Sequence, residues 1–451
     1  MKCKEHLSRC SFFYIFSPWE GLISSQRLHS FIKYGTLKKT LNGGRMNVVV
    51  GQSGGPTTVI NASLAGVYKT AVQMGANKVY GMQNGIAGFL QEKLLLLNDL
   101  LDSEEKIELL KRTPACYLGS CRHKLKSAEV NGEEYEKIFE ILQKYEIDCF
   151  LYIGGNDSMD TVAKLSAYGK KIGSSVRFVG VPKTIDNDLT ETDHTPGYGS
   201  AAKFVATTIK ELVRDCAIYD LYSVTIVEIM GRNAGWLTAA SALARGEDCE
   251  GADMIFLPEV PFTVEEFVER ISEKLKKKKN LVIAVSEGVK LPDGRYVCEL
   301  SACDQGEDVF GHKQLTGTAT FLANVCAKRL GVKTRAIELS TLQRCAGHIA
   351  SLTDINEAYE AGGAAVKAAM DGQSGVASIL VRKGENPYAC KTDVADVMKI
   401  ANQEKCVPIE WIDTVNAYML PSFIEYARPL IQGELTPYYE NGLPTHLLYK
   451  E

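Results

Sequence analysis

The sequence predicts an α/β protein made of two facing, doubly wound, mostly parallel three-layer units. Three observations predict it. At 451 residues the chain is longer than one compact core readily grows. Short apolar runs alternate with longer amphipathic stretches, as in repeated βαβ units. Most of those runs end in glycine-rich or polar clusters, which suits the carboxyl edge of a parallel sheet.

The elements follow in order. Asn47-Val48-Val49-Val50 is the first expected strand. It leads through Gly51-Gln52-Ser53-Gly54-Gly55-Pro56 into a helix over 59–74. A strand at 78–80 and a helix at 135–144 come next. The apolar run 148–153 reads as a buried strand, ending in Gly154-Gly155-Asn156-Asp157-Ser158 before a helix through Leu165. The run 178–181 ends in Pro182-Lys183-Thr184-Ile185-Asp186-Asn187-Asp188. A second set has a helix over 201–215 and a strand over 222–229, which ends in Met230-Gly231-Arg232 before an alanine-rich helix. Its strand at 281–285 ends in Ser286-Glu287-Gly288. The stretch 265–275 is amphipathic, acid first and base last, so Lys276 to Lys279 reads as its solvated end. Six prolines over 384–451 suggest irregular trailing structure. The expected divisions are a non-native or disordered extension over 1–45, units over 46–186 and 187–383 with the chain crossing between them, and a C-terminal extension over 384–451.

Composition narrows the function. Hydrophobic residues make up 45% and charged residues 24%, as in a globular protein. A net charge of −4 leaves no basic footprint for nucleic acid. The 13 cysteines show no paired or metal-ligand spacing, so reduced thiols in a cytoplasmic protein are expected. No uninterrupted apolar run reaches the about 20 residues of a membrane span. Residues 1–45 mix basic, hydroxyl and aromatic residues without a signal-peptide core, and the chain is expected to begin in effect at Met46.

The chemistry lies at the strand ends. Gly54 and Gly55 let the backbone approach an anion at a helix N-terminus. Asp157 repels a bulky polyphosphate unless a cation balances it; alternatively Asp157 or Ser158 only caps its helix. Lys183 can stabilise a moving phosphoryl group, and Asp186 can take a proton from an alcohol. On that segment alone, Asp186 to Asp188 is equally an Asx-rich turn. Arg232 fits either a sugar phosphate or a structural ion pair, and Glu287 either sugar hydroxyls or solvent. Neither glycine turn matches GxxxxGK[ST] or GxGxxG, so a P-loop or typical dinucleotide site is not supported.

Ser53-Gly54-Gly55, Gly154 to Ser158, Pro182 to Asp188 and Met230-Gly231-Arg232 occur in order, each after a strand. In this the chain resembles the phosphofructokinase family over nearly all of 46–385. The resemblance implies a donor. Members using ATP usually carry glycine where this chain has Asp157 and Lys183, whereas members using inorganic pyrophosphate carry Asp and Lys. The implied reaction moves a phosphoryl group from pyrophosphate to the 1-hydroxyl of fructose 6-phosphate, with Mg²⁺. Asp186 is then the implied base, with Lys183 and Asp157 at the transferring phosphoryl group. Gly54, Gly55, Arg122 and Ser158 are implied at the donor. Thr184, Ile185, Asp186, Met230, Gly231, Arg232, Glu287 and Arg344 are implied at the sugar phosphate. Arg335 matches a ligand that the family supplies from a neighbouring subunit, so a homo-oligomer is implied.

The chain departs from the family pattern at four positions. Asn156 replaces the usual carboxylate of the magnesium site, leaving Asn156 and Asp157 as implied metal ligands. Ser223 stands where many members have arginine, and Thr341 where they have histidine or tyrosine. Pro56 removes one backbone donor from the first phosphate turn. The competing readings are an ATP-dependent 6-phosphofructokinase, which Asp157 and Lys183 oppose, and a non-catalytic sugar-phosphate-binding subunit, which the retained Asp186 opposes.

Overall fold

The computed structural model describes residues 46–300 and 315–449, so the expected extension over 1–45 lies outside the described residues. The strands are β1 (Asn47–Gln52), β2 (Lys78–Met82), β3 (Leu94–Leu96), β4 (Ile147–Gly154), β5 (Arg177–Pro182), β6 (Ser223–Ile229), β7 (Met254–Phe256), β8 (Asn280–Ser286), β9 (Lys333–Glu338), β10 (Val376–Glu385) and β11 (Tyr388–Asp396). The helices of seven residues or more that precede residue 428 are α1 (Ile60–Gln73), α2 (Glu104–Arg112), α3 (Gly132–Lys144), α4 (Asn156–Lys171), α5 (Tyr198–Cys216), α6 (Val264–Leu275), α7 (Thr318–Leu330), α8 (Leu352–Met370) and α9 (Pro421–Ala427).

Two sheets organise the chain. The larger has seven strands in the order β11-β10-β5-β4-β1-β2-β3, and the smaller has four in the order β7-β8-β6-β9. All pairings in the small sheet are parallel. In the large sheet β2, β1, β4, β5 and β10 run parallel, and only the edge strands β3 and β11 pair antiparallel. Every residue of β1 is buried, and β4 is buried but for Asp148. This explains why central strands read as near-continuous apolar runs rather than alternating ones. Apolar clusters line both faces of each sheet, with Val48, Leu151 and Val179 on one face of the large sheet and Val49, Phe150 and Phe178 on the other.

The C-terminal region differs from the sequence reading. Residues 376–396, expected to end the second unit and begin an irregular tail, form the β10–β11 hairpin, and β10 pairs with β5 of the large sheet. The proline-rich stretch also contains α9. A proline at the hairpin tip (Pro387) and another at the first turn of a helix (Pro421) are compatible with regular structure on either side. The alanine-rich helix after Trp236 is also brief: four residues of α-helix pass directly into a 3-10 turn over Ala240–Ala244.

α1 and α8 pack at very close range. A Cβ on Gly66 would lie 1.9 Å from the Tyr359 carbonyl oxygen, and one on Gly362 2.1 Å from that of Ser63. Both obstacles are backbone, so no rotamer change relieves them. Gly66→Ala is therefore expected to destabilise the fold by roughly 2–4 kcal/mol, read as a lowered midpoint in denaturant at unchanged slope.

Candidate active site

The carboxyl ends of β1, β4, β5, β6 and β8 open onto one cleft of about 490 Å³. Ser53, Gly54 and Gly55 form its first wall. Gly54 has φ +76°, a left-handed value that glycine takes without strain. The turn is tied down by Ser53 N–H to the Ile153 carbonyl (2.9 Å), Gly54 N–H to the Cys121 carbonyl (3.2 Å) and the Ser120 hydroxyl to the Gly54 carbonyl (2.6 Å).

The second turn follows β4. Gly154 must be small, because a Cβ there would lie 1.9 Å from Ser158 Oγ. α4 starts at Asn156 and carries Asp157 in its first turn. Its amides make this end electropositive, which offsets the Asp157 charge. Lys124 Nζ lies 3.9 Å from Asp157 Oδ1, and both side chains remain partly exposed. Asn156 donates through Nδ2 to the Gln403 carbonyl (2.8 Å), while its Oδ1 is buried without a partner.

Lys183 leaves β5 into this space. Its backbone N–H bonds to the Gly154 carbonyl (3.0 Å), and its ammonium donates to the Gly55 carbonyl at 2.5 Å. Only 3% of the residue is exposed, and burial pulls its pKa below the ordinary lysine value. An arriving anion would favour the charged form again. Lys183 thus ties the two glycine turns together, its backbone to one and its side chain to the other.

Across the cleft, Thr184 and Asp186 brace each other. Asp186 N–H donates to Thr184 Oγ1 (3.1 Å), and that hydroxyl lies 3.3 Å from Asp186 Oδ2. Burial raises the Asp186 carboxyl above its usual range, opposed by Thr184 and by the charges of Lys183, Arg232 and Arg344. Asp188, raised to about 7 by burial and by Asp186, also lines the cleft. Ile185 packs beside them.

The small sheet completes the opposite wall with Met230, Arg232 and Glu287. Gly231, at φ +151°, donates its N–H toward Glu287 Oε1 (3.4 Å) and accepts from Ser286 Oγ (2.6 Å). Burial lifts the Glu287 carboxyl to about 8, so it is mostly protonated at neutral pH and can donate as well as accept. Arg344 enters from the 3-10 turn Ser340–Arg344; its Nη1 lies 3.0 Å from the Cβ position of Gly55, and its Nε is buried without a hydrogen-bond partner.

Of the residues singled out from sequence, Gly54, Gly55, Arg122, Asn156, Asp157, Ser158, Lys183, Thr184, Ile185, Asp186, Met230, Arg232, Glu287 and Arg344 all line this cleft. Gly231 supports it through its backbone. Arg335 does not line it: in β9 it reaches Asp215 at 3.6 Å, with both side chains more than half exposed. Sequence reasoning missed Lys124, although the basic run Arg122-His123-Lys124 offered a signal. It also missed Gln343, whose Oε1 faces the Met230 N–H (3.4 Å), and the wall Asn402-Gln403-Glu404. Those three lie in a polar loop with no periodic or motif signal.

Among the described residues no helix is long and apolar enough to cross a membrane. The phosphofructokinase family model matches residues 47–369. A pyrophosphate–fructose 6-phosphate 1-phosphotransferase of Methylococcus capsulatus is 40% identical over 405 residues, covering 89% of this chain and 95% of that protein. One of Halomonas elongata is 40% identical over 403 residues, covering 88% and 94%. A crystal structure of a pyrophosphate-dependent phosphofructokinase from Nitrosospira multiformis superposes with a TM-score of 0.79 at 36% identity, covering 89% of this chain and 95% of that one. Two glycine turns, a lysine between them and an arginine-lined opposite wall thus occur in a chain that the family model matches over most of its length, and the chain belongs to the phosphofructokinase family.

Proposed function

We propose that this protein transfers a phosphoryl group reversibly from inorganic pyrophosphate to the 1-hydroxyl of fructose 6-phosphate, giving fructose 1,6-bisphosphate and phosphate. The observation that carries the donor assignment is the buried Lys183 ammonium on the Gly55 carbonyl, with Asp157 on the neighbouring glycine turn lining the same cleft. A lysine there matches the charge of a compact diphosphate, while Asp157 opposes the longer phosphate chain of a nucleotide. Residues 46–186 carry the donor-binding side, and 187–383 carry most of the sugar side.

Asp186 accepts the proton of the attacking hydroxyl. Its raised pKa makes it a better base than an exposed carboxylate. Lys183 and Arg122 stabilise charge on the transferring group and the leaving phosphate. Thr184, Ile185 and Met230 shape the sugar pocket, Gly231 and Glu287 meet its hydroxyls, and Arg232 and Arg344 hold its phosphate. Gly54, Gly55 and Ser158 cradle the donor.

The oxygen donors beside this turn fit Mg²⁺. Asn156 Oδ1 is buried and unpartnered, and Asp157 lines the same cleft, a hard-oxygen pair suited to this cation. Bound there, Mg²⁺ would neutralise diphosphate charge. Asn156 brings an oxygen without a charge, so the carboxylate that would balance the ion is that of Asp157. Arg335, away from its own cleft, is available to the cleft of another copy in a homo-oligomer. The expected location is cytoplasmic.

The experiment is a product balance with purified protein, pyrophosphate and fructose 6-phosphate. One bisphosphate and one phosphate should form per pyrophosphate consumed, and the two products should regenerate pyrophosphate. Two phosphates per pyrophosphate with no bisphosphate would mark hydrolysis and refute the assignment.

A further inference from the structure

Behind the 183–188 turn lies a buried polar network that no substrate-facing role uses. Asn187, fully buried between Asp186 and Asp188, has φ +55°, a left-handed value that asparagine tolerates better than most residues. Its Oδ1 accepts from the Thr195 N–H (3.0 Å) and hydroxyl (3.3 Å), and its Nδ2 donates to Tyr426 Oη at 2.9 Å. That hydroxyl donates in turn to the Asp193 carbonyl (2.8 Å).

The chain of contacts continues inward. The Asp193 carboxylate accepts from Arg382 Nη2 (3.0 Å) and Nε (3.2 Å) and pairs with His194 Nδ1 (2.8 Å). His194 Nε2 meets Glu357 Oε2 at 2.6 Å, and Tyr388 donates to Glu357 Oε1 at 2.5 Å. Arg382 also donates to the Tyr426 carbonyl (3.0 Å) and lies over its ring, 4.8 Å from the centroid. Lys405 adds three ties: its N–H to the Asp188 carbonyl (2.8 Å), and its ammonium to the carbonyls of Asp193 (2.8 Å) and Thr192 (3.1 Å).

His194, Glu357 and Cys390 are close enough together to suggest a metal site. Both imidazole nitrogens are already engaged by carboxylates, so the cluster is better described as an ion network. Burial alone would strip the proton from His194, but Asp193 and Glu357 outweigh it and hold the imidazolium up to about 9. Burial would raise Asp193, but His194 and Arg382 bring it down to about 2. Buried ion networks add little net stability compared with apolar packing, and in some proteins they instead enforce a single geometry.

We propose that this network positions the catalytic turn, and that Tyr426 is its principal positioning residue, fixing the backbone on which Asp186 and Asp188 are carried. The inference rests on the reading of Asp186 as the base. The C-terminal segment then holds the turn from behind, through α9, β10, β11 and the 402–407 loop.

The test is Tyr426→Phe, which keeps the ring and removes one hydroxyl. A misplaced reacting group is expected to lower kcat about ten- to a hundredfold, with KM for both substrates changed by less than about threefold. Tyr388→Phe, further along the network, should lower kcat in the same pattern by less than about fivefold. A Y426F kcat within about twofold of the parent would overturn the proposal, as would a loss tracking only a reduced folded fraction and sugar-phosphate binding. Asp186→Ser separates the two readings. A fully active D186S removes the base assignment itself; an inactive D186S beside a normal Y426F removes the network alone.

Discussion

Asp186→Ser should reduce kcat by about a thousandfold or more while changing fructose 6-phosphate affinity by less than about threefold. The asymmetry follows from the cleft. Arg232 and Arg344, which are assigned to the sugar phosphate, belong to other elements and remain in place. The serine hydroxyl can still face Thr184, so the turn keeps a local brace. What disappears is a carboxylate raised by burial, the group suited to accept the hydroxyl proton. The pH dependence carries the same signature. A base works unprotonated, so the parent should lose forward turnover as pH falls through the raised Asp186 pKa, and D186S should lack that limb. Asp188 and Glu287 are each held up in part by the Asp186 charge, so both should titrate lower in the variant. Isothermal titration with the sugar phosphate, beside steady-state kinetics, checks both halves.

The paired change Asp157→Gly and Lys183→Gly should exchange donors in part. Loss of the ammonium on the Gly55 carbonyl is expected to lower kcat/KM for pyrophosphate by about a hundred- to a thousandfold, the scale of loss when one preorganised donor to transition-state charge is removed. Removing the Asp157 carboxylate opens the first turn of α4, where the helix N-terminus then favours a further phosphate. Turnover with ATP should rise above that of the parent. No rise would put the obstruction elsewhere, and the adjacent wall Asn402-Gln403-Glu404 is the next element to change.

Much of the site was legible because parallel strands deliver their chemistry locally. β1, β4, β5 and β8 are largely apolar runs, β6 is a mostly buried one, and the residues directly after these five strands line the cleft. Lys183 and Asp157 are paired through the family resemblance, and the structure adds that they follow β5 and β4, which lie side by side in the sheet. Other features left no local trace. In β9 every residue along Lys333–Glu338 is half-buried or exposed, so no apolar run marks a strand. β10 joins β5 across about two hundred intervening residues, a pairing that periodicity does not encode. The prolines after residue 384 read as breaks, yet this segment supplies β11, the 402–404 wall and Tyr426. Arg335 was legible as a residue type, but its own chain sets it against Asp215 rather than in the cleft.

Lys183 and Asp157 are proposed to select a diphosphate over a nucleotide. The most direct measurement is kcat/KM of the unaltered protein with pyrophosphate and with ATP, each at saturating fructose 6-phosphate and Mg²⁺. Pyrophosphate should support turnover with kcat/KM at least about a hundredfold above that with ATP, a difference of about 2.7 kcal/mol. Turnover with ATP and none with pyrophosphate would contradict the account.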